Sequence, residues 1–143
     1  MKIMNMKKYE LHILAFVVIA SLLCSFIACG IKSSLGQEFS LAIGQSATIT
    51  GENLKITFKE VLEDNRCARD VICIQAGRIV SLVGITEDGT SQEVILIQPG
   101  MTDQHAEKTY SGYRFTFGVE PYPEEADKQI KSGEYRLLLT INR

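Results

Sequence analysis

Cys67 and Cys73 are the first residues in this sequence whose type and spacing could do chemistry. A redox-active dithiol wants Cys-x-x-Cys at a helix start, where the helix dipole stabilises a thiolate. Here five residues intervene, and no helix is predicted around them. A structural zinc site needs four ligands at suitable spacing, which this pair and the distant His105 do not supply. His105 lies in a polar stretch with Asp103 and Glu107 nearby. It is the one candidate proton shuttle, but a general base needs a nucleophile within hydrogen-bond reach. A solvated loop histidine is the plainer reading. Glu124, Glu125 and Asp127 form an acidic cluster that lacks the glycine or asparagine turn of a calcium loop. They read as a solvated face. No Gly-x-Ser-x-Gly, no His-Glu-x-x-His and no phosphate-cradling glycine loop occurs. No catalytic residue, metal or cofactor is therefore expected, and the chain reads as a non-enzyme.

The whole-chain numbers narrow the field further. With 143 residues and 45% hydrophobic composition, the chain suits one folded domain and is too apolar for disorder. Its formal net charge of −2 provides no basic field for nucleic acid.

Lys2, Lys7 and Lys8 precede an uncharged apolar run from Leu11 to Ala28. That layout is a secretory signal, and the run is also long enough to span a bilayer as an uncleaved anchor. The run ends in Phe26-Ile27-Ala28-Cys29-Gly30. This end resembles the lipobox of bacterial lipoproteins, where a small residue precedes an obligatory cysteine. Phe26 departs from the aliphatic residue usual there, and Cys24 is a poor alternative because Leu23 precedes it. The resemblance implies residues 1–28 as a lipoprotein signal peptide and lipidation at Cys29. An uncleaved anchor and simple secretion stay as alternatives. Loss of residues 1–28 would leave 115 residues and a formal charge of −4, a balance that disfavours an anionic membrane surface. Residues 29–36, with their serines and glycines, read as a short flexible tether.

From Gln37 onward the hydrophobic period is two. Phe39, Leu41 and Ile43 alternate with Ser40 and Ala42, as do Leu54, Ile56 and Phe58 with Lys55 and Thr57. The same pattern runs through Tyr113–Val119 and Tyr135–Ile141. Each predicts a strand with one buried face. Phe39, Phe58, Tyr113, Phe115, Phe117 and Tyr135 fall on inward positions and read as core. Ile79–Ile85 and Val94–Ile97 are apolar on both faces, which predicts central strands. Asp88-Gly89 between two apolar runs is the strongest hairpin signal. Pro123 before it and Gly133 behind it suggest a short helix over 124–131. Seven or eight short strands with frequent turns predict an all-β fold over 37–143, an antiparallel β-sandwich of immunoglobulin-like or Greek-key type.

The cysteine pair then gains a reading. An exported chain meets an oxidising compartment, where Cys67 and Cys73 would close a disulfide. The stretch from Glu63 to Gly77 resembles a motif of uncharacterised bacterial lipoproteins: Asp-Ser-Arg-Cys-Pro, a second Cys, then Trp-Ala-Gly. Val119-Glu120-Pro121-Tyr122-Pro123 is similar to a Pro-Tyr-Pro segment of those proteins. This chain has Asn65 for Ser, Ala68 for Pro and Gln75 for Trp. The resemblance implies a small β domain in the cell envelope and no activity. The structural reading of the loop is a stapled connection. In it Asp64 caps the turn, Arg66 bonds Asp70 or loop carbonyls, and Gly77 permits a bulge. The functional reading is a preformed recognition loop, presenting Asp64, Arg66, Arg69, Asp70 and Gln75, with Tyr122 beside them. The expected function is a membrane-tethered, non-enzymatic envelope lipoprotein that binds another envelope component through this loop. A carrier of a small molecule or ion is the alternative, and an enzyme using His105 stands behind both.

Overall fold

The computed structural model describes residues 30–100 and 105–143. Nine strands form: β1 (Ile31–Ser33), β2 (Phe39–Ala42), β3 (Ser46–Ile49), β4 (Leu54–Asp64), β5 (Arg78–Glu87), β6 (Thr90–Pro99), β7 (Ala106–Tyr110), β8 (Tyr113–Glu120) and β9 (Arg136–Asn142). They build two sheets, one ordered β1-β3-β4-β5-β6 and the other β2-β9-β8-β7. Every pairing is antiparallel except β1 with β3. The inner faces of the sheets meet over a core that includes Leu41, Ile56, Phe58, Phe115, Phe117 and Leu139. This is the antiparallel β-sandwich that the alternating pattern predicts, because a period of two sends every second side chain inward. All six aromatics expected in the core are buried there.

The turns follow their residue chemistry. Asp88 and Gly89 both hold positive φ, 46° and 82°, and close the β5–β6 hairpin. Ser111 and Gly112 repeat this at 50° and 80° between β7 and β8. Two positive φ values match the right-handed twist of flanking strands.

Three expectations are corrected. The fold begins earlier than the periodicity suggests: Ile31–Ser33, within the stretch read as a tether, pair in parallel with Ala47–Ile49. Ser33 is buried there, and its carbonyl accepts from the Thr50 N–H at 2.7 Å. Three residues are too few to show a period, so the strand is silent in sequence.

The run Val94–Ile97 lies on β6, an edge strand, not a central one. Val94 and Leu96 face inward, while Ile95 and Ile97 stand on the outer face about half exposed. Residues 124–131 form no helix; a short 3-10 turn follows at Ser132–Glu134. The segment closes a turn from Lys128 N–H to Glu125 O at 3.2 Å, and the backbone at its start bonds the cysteine loop. Pro123 O accepts from Arg69 N–H at 3.1 Å, and Ala126 N–H donates to the Asp70 carboxylate at 3.0 Å. Among the described residues, no helix is long and apolar enough to cross a membrane.

Candidate functional site

β4 ends at Asp64 and β5 begins at Arg78, so residues 65–77 bridge one end of the sandwich. Two register shifts on β4, between Phe58 and Glu60 and between Val61 and Glu63, bend the strand before this loop. The loop is stapled as expected: Cys67 and Cys73 form a disulfide with Cα atoms 5.9 Å apart.

The deeper anchor of the loop is Arg66. Its guanidinium is fully buried and grips Asp64 with two bonds, Nε to Oδ1 at 2.8 Å and Nη2 to Oδ2 at 2.7 Å. The same head donates to Val119 O at 2.8 Å and Pro121 O at 2.9 Å. Arg66 thus ties the loop to the end of β8, in the other sheet. The expected bond to Asp70 is replaced by these, because Asp70 turns outward to hold the 123–126 segment. A planar fork with five donors suits this role, since a buried cation must satisfy its protons and its charge together.

Asp64 does cap the turn, accepting from Arg66 N–H at 3.3 Å. It also accepts from the Tyr135 hydroxyl at 3.0 Å. Burial, then the Asp64 charge beside it, pushes the Tyr135 phenol up to about 12.

Tyr122 is the second clamp. Its hydroxyl donates to Cys67 O at 2.9 Å and lies 3.3 Å from Gly100 O. Two guanidinium groups lie over its ring, Arg66 at 5.2 Å and Arg69 at 4.9 Å from the centroid. Arg69 also pairs with Glu124 at 3.0 Å.

Two glycines let the loop close. Gly77 holds φ +65°, and a Cβ there would stand 1.9 Å from Asn65 O. At Gly100, a Cβ would stand 2.4 Å from Ala76 O and 3.0 Å from the Arg66 Cα. The Gly77 feature is a close approach at a left-handed residue rather than a bulge.

The six residues expected to contact a partner therefore divide. Asp64, Arg66 and Tyr122 are committed to interior contacts. Arg69, Asp70 and Gln75 lie on the exposed side. What the loop displays most is apolar: Ile72 and Ile74 flank Cys73 with relative exposures of 102% and 104%, and Val71 adds 41%. Sequence reasoning passed over these residues. The available signal was β-branched apolar residues placed in a loop, where no alternation could hide them. Gln98 was also missed; its Oε1 accepts from Val119 N–H at 2.9 Å and joins β6 to β8.

Beside the loop, an open cleft of about 530 Å³ lies on the outer face of the β2-β9-β8-β7 sheet. Arg69, Tyr122, His105, Glu134, Arg136 and Leu138 line it. His105 is exposed, and its ring covers Gly118, where a Cβ would lie 2.5 Å from Cδ2. Its sequence neighbour Asp103 lies outside the described residues. Glu124 and Glu125 are paired with Arg69 and Lys128. Among the described residues no group of His, Cys, Asp and Glu is arranged to hold a metal ion. Cys29 and the apolar run before it lie outside the described residues.

Comparison with protein-family models, with curated proteins and with solved structures finds no match to this chain.

Proposed function

We propose that this chain is a membrane-tethered, non-enzymatic module of a bacterial cell envelope. It is a lipoprotein anchored at Cys29 that binds another envelope component through the stapled loop. The observation that carries the reading is the loop's division of labour. Its polar side chains lock it to both sheets, and its crest offers Val71, Ile72 and Ile74 to solvent. A folded domain gains nothing from holding two isoleucines fully in water, one inside the disulfide ring and one just after it. Such exposure marks an interaction surface. The contact surface is thus the crest with Arg69, Asp70 and Gln75, not the buried Arg66 and Asp64.

Hydroxyl-radical footprinting of the full chain tests this. Oxidation of Ile72 and Ile74 is compared in intact envelopes and in purified protein. Severalfold protection in the envelope supports the reading, and equal oxidation in both overturns it.

A small-molecule carrier is the second reading, favoured by the cleft beside Arg69 and Arg136. Ligand-dependent stabilisation in a screen of ions, sugars and carboxylates would support it. Loss of that stabilisation in Arg136→Ala would place the ligand in the cleft.

A further inference from the structure

Ile31 pairs with Ala47, which pairs with Ile56, which pairs with Ile85. These four residues stand at one level across the sheet. β1 and β3 run parallel, and β4 runs against them toward Asp64. Read backwards from Ser33 to Ile31, β1 therefore heads toward the end of the sandwich that carries Asp64, Arg78 and the stapled loop. Gly30 keeps this direction, since a Cβ there would lie 3.9 Å from Ser46 O. From the level of Ile85 to Arg78 the sheet extends about 23 Å at about 3.3 Å per residue.

The sequence sets where the bilayer must be. The apolar run closes at Ala28, and Cys29 stands two residues before Ile31. Those two residues reach at most about 7 Å. A tether that short holds the domain against the membrane, whether the anchor is lipid on Cys29 or the apolar run itself. The loop end projects about 16 Å farther than those two residues reach, so the β1 exit and the loop end share one bilayer surface when the sandwich leans onto that corner. In that pose the loop end faces the bilayer, and Ile72 and Ile74 stand at that end without cover.

We infer that the crest of the stapled loop, Ile72 and Ile74, seats in the interface of the bilayer to which the chain is tethered. This rests on the tethered reading above and names the component that the loop binds. The disulfide suits the task, because a crest fixed by Cys67–Cys73 and Arg66 loses little freedom on insertion. The apolar crest and the acidic balance of the domain make a neutral bilayer sufficient, with no need for anionic lipid.

The chain contains no tryptophan, so a single introduced indole reports alone. The full lipidated chain is reconstituted into vesicles of phosphatidylcholine brominated on its acyl chains. Ile74→Trp is compared with Thr90→Trp, which lies at the opposite end beside the Asp88-Gly89 turn. Unchanged circular dichroism checks the fold of each. The expected result is a blue shift and severalfold quenching for Ile74→Trp, with Thr90→Trp unquenched. Vesicle flotation with Ile74→Trp unquenched overturns the inference while leaving the tether intact. Quenching of both variants overturns the orientation. Failure to float overturns the tethered reading and this inference with it. Capture of a protein on Ile74→Trp vesicles that shields the indole from bromine would replace the bilayer with that protein and also overturn it.

Discussion

Among single residues, Arg66 and the groups that face it hold the loop in place. Its guanidinium is buried, bound twice to Asp64 and once each to two carbonyls. A buried ion pair adds little over a hydrophobic pair, but breaking one is costly because the surviving charge stays buried. Asp64→Ala is therefore expected to destabilise the fold by about 3–5 kcal/mol, measured by urea unfolding. A loss under about 1 kcal/mol, the ordinary size of an exposed ion pair, would show that the loop relaxes and lets Arg66 reach water.

Tyr135 gives a second handle on the same cluster. Its phenol pKa is raised from 10.0 to about 12 by burial and by Asp64. The folded state therefore holds the phenolic proton more tightly than the unfolded state. The associated stability is fully present below pH 10 and is lost as pH rises through about 12. Tyr113 shifts in the same direction, chiefly through its bond to Glu52. The unfolding midpoint is expected to fall across that alkaline window, and Tyr135→Phe should flatten the fall. An identical profile in the variant would remove Tyr135 from the cluster's energetics. None of this network is legible in the sequence. Arg66 to Asp64 is a local pair, but Val119, Pro121, Tyr122 and Tyr135 reach it only through the fold.

At the scale of elements, the loop over residues 65–77 is held twice, by the disulfide and by the Arg66–Tyr122 clamp. The disulfide closes a small ring, worth about 2 kcal/mol in the chain-entropy account. Because the clamp acts independently, the Cys67→Ser/Cys73→Ser variant should remain folded and lose about that much, seen in the urea midpoint. Unfolding of the variant at ambient temperature would make the staple the principal support. Gly100→Ala should do greater harm per atom added, since its Cβ has no room against Ala76 O. The cysteine pairing was readable from an even pair in a chain whose sequence reads as exported. The strands with clear alternation were also readable, because the pattern and the burial share one period. β1, the edge position of β6 and the non-helical 124–131 segment were not. A three-residue strand has no period, an edge strand can carry apolar residues outward, and a proline and a glycine bracket a loop as readily as a helix.

For the whole molecule, the function proposed above makes the sandwich a mount between an anchor and a crest. Fully burying an isoleucine contributes roughly 1.5–3 kcal/mol, so insertion of both, as proposed above, would hold the domain in a fixed pose. The proposed anchor rests on the resemblance of Ala28-Cys29-Gly30 to a lipobox. Cys29→Ser is expected to move the chain from carbonate-washed membranes into the soluble fraction. Retention would identify Leu11–Ala28 as an uncleaved span in place of lipid.

The proposed function places the crest against another envelope component. The most direct measurement places a photocrosslinking residue at Ile74 of the full chain in living cells, with the same probe at Thr90 as reference. The account predicts an abundant adduct from position 74, whether to lipid or to protein, and little from position 90. Equal or absent adducts at the two positions would contradict it.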